Sequence, residues 1–349
     1  MENKKIIIVG FGWASIGFIQ YIDTTKYDVI LISKNDHFLY TPLLAQNVNK
    51  DRELKIDVNS INQSLTFVQE SVDEIDFDNK QVNKNSYHYL ILSHGAEVNT
   101  FNIPGVQENT HYLKTLEDSI NIKNKLQYLP KDSVIAIIGC GLAGTELIGS
   151  ICDMKKFNIL AIDALERPLI TFDKNLSQKV IENWERENIK MYFKSFVQKI
   201  NPTSLEIKDK EPLSFDMAIW CGGIKISDLS KKINHQLKLN NNRGIPVNKH
   251  LKVENNSDIF AIGDCAYSGN PPTAQVAYQQ GVYLANQFNN DFKNKEKFVF
   301  NDKGQIGYIG NGKSVYQNNY FKGGGKIIYY FNNLVHLYNF GKIYIKSKF

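Results

Sequence analysis

The sequence predicts an α/β fold made of two similar nucleotide-binding units and a smaller C-terminal region. The first observation is an apolar, largely β-branched run, Val134–Ile138, that leads directly into a G-x-G-x-x-G pattern. Such a run is typical of a buried parallel strand, and the pattern is typical of the turn between a strand and a helix. The second observation is that the same order of strand, glycine-rich turn and helix begins at Lys4–Val9. The chain therefore contains this arrangement twice.

Each glycine of the second unit has a separate physical role. Gly139 permits a tight turn, Gly141 lets the backbone approach a pyrophosphate, and Gly144 lets the helix pack close to the strand. The next predicted strand, Asn158–Ile162, ends at Asp163, which is 24 residues after Gly139. That spacing is close to the one expected for a carboxylate that binds a ribose 2′-hydroxyl. We therefore interpret the second unit as a Rossmann-like dinucleotide-binding domain.

The first unit is an imperfect copy of the second. Gly10 and Gly12 follow its first strand, but Ser15 occupies the third glycine position. The next strand, Tyr27–Ile32, ends at Ser33, where the second unit has an acid. The N-terminal position and the later copy favour a dinucleotide here as well.

Between the two turns, the pattern leaves some residues open to two interpretations. Thr41–Leu44 follows the cluster Phe38–Tyr40 and fits either a buried proline turn or a wall beside a flavin ring. Residues 59–92 alternate with turn residues, which predicts short antiparallel strands that cap the sheet. Within them, Tyr87–Ser93 is predicted as a strand, and Asn102–Gly105 as the turn that leaves the first unit.

The remaining predicted elements complete the two units. Helices are predicted at Leu116–Leu129, Gln178–Asn188 and Val276–Asn289, and strands at Ile189–Phe193, Ser204–Lys208, Met217–Trp220 and Ile259–Ile262.

The tail, residues 298–349, is rich in Tyr, Phe, Gly and Lys. Ile327–Asn339 is predicted as a helix with an apolar half (Ile327, Tyr330, Phe331, Leu334, Val335, Leu337, Tyr338) and a polar half (Asn332, Asn333, His336, Asn339). Lysines flank it at Lys322, Lys326, Lys342, Lys346 and Lys348. Such a helix fits a membrane interface, and it equally fits packing on its own domain or a dimer contact.

The bulk properties exclude several classes of protein. The net charge of +5 is modest and the lysines are scattered along the sequence, so no nucleic-acid partner is expected. The four cysteines form neither a C-x-x-C motif nor a zinc spacing, which favours a reducing compartment and predicts no metal site. The first strand begins at Lys4, so no signal or transit peptide is expected before it. No apolar run approaches the length of a membrane-spanning helix.

These motifs together resemble the type II NADH:quinone oxidoreductases, the non-proton-pumping alternative NADH dehydrogenases of mitochondria and bacteria, and most closely the mitochondrial branch. The resemblance covers nearly the whole chain. Its family-specific segments are Thr41–Leu44 and Pro272–Ala277, while Gly139–Glu146 matches the NADH motif and Ala261–Asp264 a flavin-side motif. Gly323–Gly325 and the tail helix resemble the membrane-contacting end.

The resemblance implies FAD and NADH as cofactors and assigns residues to them. On the flavin side these are Gly10, Gly12, Trp13, Ala14, Ser33, Thr41, Pro42, His94, Gly95, Ala96, Gly263, Asp264, Ala274 and Gln275. In the second unit they are Gly139, Gly141, Leu142, Gly144, Glu146, Asp163, Cys221 and Gly222. Glu146, between nicotinamide and flavin, and Gln275, beside the quinone entrance, are the implied catalytic residues. Without the resemblance, Glu146 would be interpreted as a helix-start carboxylate stabilised by the helix dipole.

The resemblance also implies an organisation and partners. We expect an FAD-binding domain over residues 1–108 and 245–292, an NADH-binding domain over 109–244, and a membrane- and quinone-side region over 293–349. The expected partners are a quinone (ubiquinone or menaquinone), a membrane surface through the amphipathic tail helix, and a second copy in a homodimer. The expected location is the periphery of the mitochondrial inner membrane or of the cytoplasmic membrane face.

Three departures from the family pattern stand out. His94 lies where the family has a small or apolar residue, and we interpret it as a buried, hydrogen-bonded histidine in preference to one that tunes the flavin. Cys221 replaces a small residue as an apolar filler. The C-terminal part is shorter than in mitochondrial members.

Two other functions remain open at this stage. A sulfide:quinone oxidoreductase would need a redox pair of cysteines beside the flavin. A non-catalytic NADH-binding flavoprotein, like apoptosis-inducing factor, would need no fast electron acceptor.

Asp163 favours NADH over NADPH, although Arg167 lies four residues further on.

Overall fold

The described residues form two five-stranded parallel β-sheets with helices around them, six smaller sheets of two or three strands, and a long C-terminal helix. A computed structural model describes residues 3–346, with side chains up to residue 343. The helices are α1 Trp13–Ile19, α2 Leu44–Asn47, α3 Val58–Ile61, α4 Val106–Asn109, α5 Leu116–Tyr128, α6 Leu142–Cys152, α7 Lys174–Arg186, α8 Asp228–Gln236, α9 Ala274–Asn289 and α10 Lys326–Lys346.

The strands are mostly short. They are β1 Lys4–Val9, β2 Tyr27–Ile32, β3 His37–Leu39, β4 Lys55–Asp57, β5 Thr66–Val68, β6 Ile75–Asp76, β7 Gln81–Val82, β8 Asn85–Ser86, β9 Tyr89–Leu92, β10 Glu97–Val98, β11 His111–Tyr112, β12 Val134–Ile138, β13 Asn158–Ile162, β14 Lys190–Tyr192, β15 Val197–Ile200, β16 Ser204–Ile207, β17 Leu213–Ser214, β18 Met217–Trp220, β19 Ile224–Lys225, β20 Ile245–Pro246, β21 Ile259–Ala261, β22 Ala266–Tyr267, β23 Gln305–Gly310, β24 Lys313–Gln317 and β25 Lys322–Gly325.

The first sheet has the strand order β21-β9-β1-β2-β5, and each neighbouring pair is parallel. The central strand of this sheet, β1, contains Ile6, Ile7 and Ile8, which are all fully buried. Successive side chains of a strand point to opposite faces, so both faces of β1 are covered, as is usual in a parallel sheet. Each such side chain contributes about 2 kcal/mol through burial. Strand β21 comes from the chain beyond the second sheet, so the first sheet is built from two separate stretches of sequence.

The second sheet repeats this architecture with the order β11-β18-β12-β13-β14, again all parallel. In both sheets the strand that precedes a glycine turn is flanked on both sides, so the turn lies in the crevice at the carboxyl ends of the strands. This is where ligands bind in open α/β sheets.

Helices α1 and α9 cross with almost no space between their backbones. A Cβ atom built on Gly17 would lie 2.2 Å from the Tyr278 carbonyl oxygen, and one on Gly281 would lie 2.0 Å from the Ala14 carbonyl oxygen. Only glycine allows this approach, and it fixes the helix that follows the first turn.

The C-terminal region contains a sheet that the sequence analysis missed. Strands β23, β24 and β25 form an antiparallel sheet, and α10 packs on it. Asn332 and His336, from the predicted polar half, are buried, whereas Ile327, Leu334 and Leu337, from the apolar half, are 84%, 63% and 70% exposed. The helix therefore turns its polar side to the protein and its apolar side outward.

Most predicted elements are confirmed, with shifted ends. The helix predicted at Ile327–Asn339 extends over Lys326–Lys346, and within residues 3–346 no helix has the length and apolar character needed to cross a bilayer. The prediction of short antiparallel strands over residues 59–92 is wrong for β5, because β5 pairs in parallel with β2 at the edge of the first sheet. Lys348 and the Lys346 side chain, two of the flanking lysines, lie outside the described residues.

Candidate functional site: two glycine turns and the cleft between them

The second turn has the geometry that its glycines predict. Gly139 has φ +101°, and a Cβ atom there would lie 2.5 Å from the Cys221 carbonyl oxygen. A Cβ atom on Gly144 would lie 1.8 Å from the Gly139 carbonyl oxygen, so the third glycine permits the close packing of α6 on the turn. Asp163 accepts hydrogen bonds from the backbone N–H groups of Cys140 (2.6 Å) and Leu165 (2.8 Å). Besides its predicted role toward a ribose, this carboxylate therefore holds the turn itself.

The first turn replaces its missing third glycine with a hydroxyl group. Gly10 has φ +99°, and a Cβ atom there would lie 2.6 Å from the His94 Cα atom. Ser15 is fully buried, and its Oγ lies 2.8 Å from the Gly12 backbone nitrogen and 2.9 Å from the Gly12 carbonyl oxygen. The Ser15 side chain thus links the glycine turn to the first helical turn of α1. Ser33 Oγ accepts a hydrogen bond from the Asn35 backbone N–H at 3.2 Å.

Both turns are open where a phosphate would lie. A Cβ atom on Gly12 or on Gly141 would have no neighbour within 4 Å. Helices α5, α7, α8 and α9 have their N-terminal N–H groups capped by a side chain, whereas α6, which begins after Gly141, has none. The free N–H groups and the positive end of the α6 dipole suit an anionic ligand, so the residues present fit a dinucleotide pyrophosphate.

The predicted flavin wall lies directly beside the first turn. Trp13 Nε1 donates to Thr41 Oγ1 at 2.9 Å, and the indole packs edge-on against Phe38 with ring centres 5.1 Å apart. Pro42 is the second residue of a short 3₁₀ turn, Thr41–Leu43. The chain thus brings Trp13, Thr41 and Pro42 together, as the resemblance implies.

His94 is only partly buried, and it is not fully hydrogen-bonded as we expected. Its Nε2 lies 2.7 Å from Ser230 Oγ, while the buried Nδ1 has no partner among the described residues. Burial lowers the pKa of His94 to about 4, so the ring is neutral. Gly95 follows with φ +78°, and Ala96 leads into β10.

The sequence analysis missed a lysine next to Asp264. Burial raises the pKa of the Asp264 carboxyl, and the nearby Lys114 ammonium opposes that rise. Burial lowers the pKa of Lys114, and Asp264 and Glu97 oppose that change. Gln280 was also missed, and it accepts a hydrogen bond from the Gly263 backbone N–H at 2.7 Å. The apolar residues at positions 112, 113 and 116 are the one feature of the sequence that indicates partial burial of Lys114.

The two predicted catalytic residues both contact the C-terminal region. Glu146 on α6 is buried, and its carboxylate accepts a hydrogen bond from the Tyr308 backbone N–H at 3.2 Å. Burial raises the pKa of Glu146 to about 8. The Gln275 amide, in the first turn of the helix that begins at Ala274, donates to the Gly304 carbonyl at 2.8 Å and accepts from the Lys303 N–H at 3.0 Å.

Cys221 and Gly222 follow β18 at the second turn. Burial raises the pKa of the Cys221 thiol to about 12, which fits its interpretation as an apolar filler. A Cβ atom on Gly222 would lie 2.6 Å from the Trp220 ring. All four cysteines are free thiols, so the described residues contain no redox disulfide.

The two sheets, each with an open glycine turn at its carboxyl end, define an oxidoreductase fold with paired dinucleotide sites. Residues 4–281 match the family model described as pyridine nucleotide-disulphide oxidoreductase. The chain is also 30% identical over 375 residues to a probable NADH dehydrogenase of Dictyostelium discoideum, which covers 92% of this chain and 82% of that protein. The chain belongs to the pyridine nucleotide-disulphide oxidoreductase family.

Other relatives are longer than this chain. It is 28% identical over 338 residues to the mitochondrial external NADH-ubiquinone oxidoreductase 2 of Saccharomyces cerevisiae, with 82% of this chain and 62% of that protein covered. The chain thus spans less than two thirds of that relative.

Solved structures confirm the predicted fold class. NDH2 from Plasmodium falciparum in complex with NADH has a TM-score of 0.87 at 23% identity, covering 100% of this chain and 99% of that one. The sulfide:quinone oxidoreductase from Aquifex aeolicus has a TM-score of 0.84 at 17% identity, covering 99% and 92%. Together with the relatives, these matches confirm the resemblance found in the sequence.

Proposed function

We propose that the protein is a flavoenzyme that oxidises NADH and passes two electrons to a quinone, without pumping protons. The observation that carries this proposal is the pair of open glycine turns in one chain, each at the carboxyl end of a parallel sheet. The names of the relatives, NADH dehydrogenase and NADH-ubiquinone oxidoreductase, support the choice of donor and acceptor.

FAD is assigned to the first turn. When bound, FAD accepts a hydride from NADH and delivers its electrons onward. Gly10, Gly12 and Ala14 would approach its pyrophosphate, and Ser33 a ribose hydroxyl. Trp13, Thr41 and Pro42 would bound the ring.

Further residues would hold the rest of the flavin. Asp264 would accept hydrogen bonds from the ribityl hydroxyls, and Lys114 would balance its charge. Gly263, His94, Gly95 and Ala96 would line the strand ends beside it.

NADH is assigned to the second turn. Gly139, Gly141, Leu142 and Gly144 would hold its pyrophosphate, Asp163 its ribose, and Cys221 and Gly222 would close the far side. The two terminal nitrogens of Arg167 donate hydrogen bonds to Ser177 Oγ and to the Leu169 and Ile170 carbonyl oxygens. Because the guanidinium is already engaged in this way, it is poorly placed to bind a 2′-phosphate. We therefore expect a higher kcat/KM for NADH than for NADPH, and equal values would contradict this assignment.

Glu146 and Gln275 would act where the two cofactors meet. A buried Glu146 that is neutral below pH 8 can hold a proton beside the nicotinamide without placing a negative charge there. Ala274 and Gln275 start α9, whose dipole favours negative charge on a reduced ring. The hydrogen bonds between Gln275 and the backbone of Lys303 and Gly304 would position the N-terminus of α9 against the C-terminal region.

The two alternatives have less support. A sulfide:quinone oxidoreductase of this kind requires paired cysteines, and the four thiols are unpaired, with three of them buried. A sensor that resembles apoptosis-inducing factor would hold reduced flavin and NAD together for a long time instead of turning over.

Steady-state oxidation of NADH with a short-chain quinone tests the proposal. We expect quinone-dependent turnover in the wild type and a clear loss in Gln275→Leu. Gln279→Leu is a matched control, because Gln279 binds the Asn301 backbone in the same two-way manner. A wild type with no quinone-dependent rate would contradict the proposal, and a long-lived reduced flavin would then favour the sensor.

The same proposal includes the organisation of the chain. Residues 1–108 with 245–292 would bind FAD, 109–244 would bind NADH, and 293–349 would face the quinone (ubiquinone or menaquinone) and the membrane. The exposed apolar side of α10 supports attachment at a membrane periphery, with a homodimer as the other use of that surface. Mitochondrial names among the relatives favour the mitochondrial inner membrane.

A further inference from the structure

The strand β23 runs along one face of α6, the helix that begins at the second glycine turn. The residues of this helix that the strand contacts are spaced by four, three and four positions, which places them on one side of the helix. They are Leu142, Glu146, Gly149 and Asp153, the last of which caps the C-terminal end of α6. A Cβ atom on Gly149 would lie 2.5 Å from the Gly310 backbone nitrogen, so the two backbones are almost in contact. The strand therefore follows α6 over its whole length.

Tyr308 on β23 binds this helix at two separate points. Its backbone N–H donates to Glu146 Oε1 at 3.2 Å, and its hydroxyl donates to Asp153 Oδ2. The two acceptors are seven residues apart, which is about 10 Å along a helix axis. Asp153 also accepts a hydrogen bond at 2.7 Å from the backbone N–H of Asn311, in the turn after β23. A shift of β23 along α6 would therefore break contacts at both points.

The bond to Glu146 satisfies a backbone group that the sheet leaves unpaired. Within the described residues, β23 pairs with β24 alone, so it is an edge strand. The outward N–H groups of an edge strand have no partner in the sheet. Glu146 Oε1 supplies a partner for one of them, and Glu146 Oε2 has no hydrogen-bond partner among the described residues.

The Tyr308 N–H also determines which Glu146 oxygen carries a proton. Burial raises the pKa of Glu146 to about 8, so the carboxyl is protonated at neutral pH. Because Oε1 accepts from the Tyr308 N–H, the proton lies on Oε2. Oε2 is therefore a hydrogen-bond donor without a partner in the protein.

No charged side chain of the described residues acts on Glu146, because burial and the Tyr308 N–H are the two influences on its pKa. Apart from β23, the elements with extensive contacts to α6 are α2, β12 and β13, and none of them contains a titratable residue. The titratable groups on β23 and at the end of α6 are Tyr308, Cys152 and Asp153. A protonation change near pH 8 at this place is therefore assigned to Glu146.

We propose that Tyr308 and Asp153 are positioning residues for NADH. By holding β23 on α6, they keep the Tyr308 N–H on Glu146 Oε1 and leave the Oε2 proton free to donate to the carboxamide oxygen of the nicotinamide. This rests on the part of the proposed function that places NADH beside Glu146. The Tyr308 and Asp153 side chains act through Glu146 and do not themselves touch the ligand.

The test measures the binding of tetrahydro-NAD, a reduced analogue that keeps the carboxamide but donates no hydride, to the FAD-loaded, full-length protein. Titration of the flavin absorbance gives its Kd between pH 6 and pH 10. In the wild type, affinity should fall as the pH rises through about 8, because loss of the Oε2 proton removes the donor. In Tyr308→Phe, the Kd at pH 7 should rise about fivefold, the effect of one hydrogen bond. The pH of half-maximal affinity should move upward, because the N–H that favours the Glu146 carboxylate is held less closely.

Three further variants define the contact. Asp153→Asn should reproduce the effect, and its combination with Tyr308→Phe should add little, since the two side chains share one contact. Glu146→Gln should remove the pH dependence, because an amide keeps a donor and an acceptor at any pH. Tyr27→Phe is the matched control, since Tyr27 is 6% exposed, against 4% for Tyr308, and its hydroxyl donates to the Phe288 carbonyl at 3.0 Å. It should lower the melting temperature and leave the Kd and its pH dependence unchanged.

An unchanged Kd and pH dependence in Tyr308→Phe and Asp153→Asn, with only the melting temperature lowered, would overturn the proposal. A pH dependence that persists in Glu146→Gln would overturn it as well. If Tyr308→Phe loses FAD, Asp153→Asn decides, since it keeps an oxygen acceptor for the Asn311 N–H. A wild type that binds the analogue and oxidises NADH with ferricyanide, which takes electrons from reduced flavin, but not with a quinone would refute the proposed function alone.

Discussion

At the scale of single residues, the site depends on groups whose charge the fold controls. Glu146 has one backbone N–H as its hydrogen-bond partner and is otherwise surrounded by protein. Desolvation is the larger effect, so the protonated carboxyl is favoured up to a pKa of about 8. Its stability effect follows from linkage: the folded protein binds a proton that the unfolded chain releases near pH 4.5.

Replacing Glu146 with Gln should therefore change how stability depends on pH. In the wild type, the contribution of Glu146 is fully present below pH 4.5 and is lost as the pH rises to about 8. Glu146→Gln should remove this decline, so its free energy of unfolding relative to wild type should increase between pH 5.5 and pH 8. Urea unfolding at both values measures this. The control Glu182→Gln, at a half-exposed position, should leave the decline intact, and a decline that persists in Glu146→Gln would contradict the assignment.

At the scale of elements, the position of the first turn depends on how α1 meets α9. The crossing leaves no room for a methyl group at Gly17, because the obstacle is the Tyr278 backbone and not a mobile side chain. The turn at Gly10 and Gly12 leads into α1, so displacement of this helix would change the site that we propose for FAD.

Gly17→Ala should destabilise the protein by about 1–3 kcal/mol through overpacking and should weaken FAD retention. Thermal unfolding and the flavin absorbance that remains after gel filtration measure the two effects. Gly341→Ala is the matched control, since Gly341 lies in α10 and a Cβ atom there meets nothing within 4 Å. That control should be neutral or stabilising by up to about 1 kcal/mol. Equal effects of both substitutions would contradict the close-packing argument.

The outer face of α10 should mediate binding to lipid. Leu334→Ser together with Leu337→Ser should reduce flotation with liposomes severalfold and leave the ferricyanide rate unchanged, because both side chains are mostly exposed. Tyr128→Ser, at a position 88% exposed at the end of α5, should not reduce flotation. Deletion of the helix is a poorer test, since it would also uncover Tyr40. If the double variant floats normally and a dimer dissociates instead, the face is a subunit contact.

The sequence predicted most elements in the two parallel sheets, because long apolar strands and glycine turns have strong patterns. It missed β23 and β25, in which glycines interrupt the alternation of apolar and polar residues, and with them the five-residue β24 that lies between them. For α10 it separated the two faces but not their orientation. That orientation depends on partners distant in sequence, such as Tyr40 for His336 and Ser314 for Asn332. Lys114 was missed because only the fold brings it near Asp264.

At the scale of the whole molecule, each sheet has its own core, although Ala45 and Val48 of the first unit also pack against the core of the second. The chain passes from the first sheet to the second and back. Phe260 in β21 is 1% exposed and packs on Phe288 and Phe292, so residues after the second sheet complete the core of the first. Leu205 in β16 is fully buried in the core of the second unit.

Two core substitutions of similar severity should therefore separate the cofactors. Phe260→Ala should cost about 3–5 kcal/mol and release FAD, although it lies far in sequence from Gly10. Leu205→Ala should cost about 2–5 kcal/mol and leave FAD bound to the folded protein. Denaturant unfolding with flavin fluorescence as a second probe measures both. Retention of FAD by Phe260→Ala, or its loss from Leu205→Ala, would contradict the proposed division of the chain.

The return of β21 to the first sheet also governs how the chain can fold during synthesis. About 170 residues separate β9 from its partner β21, which takes about 10 to 30 s to translate at typical rates. During this time the second sheet can form, while one edge of the first remains unpaired and its backbone groups stay available to other chains. The nascent protein therefore completes its first sheet only after the second, although the first sheet begins earlier in the sequence.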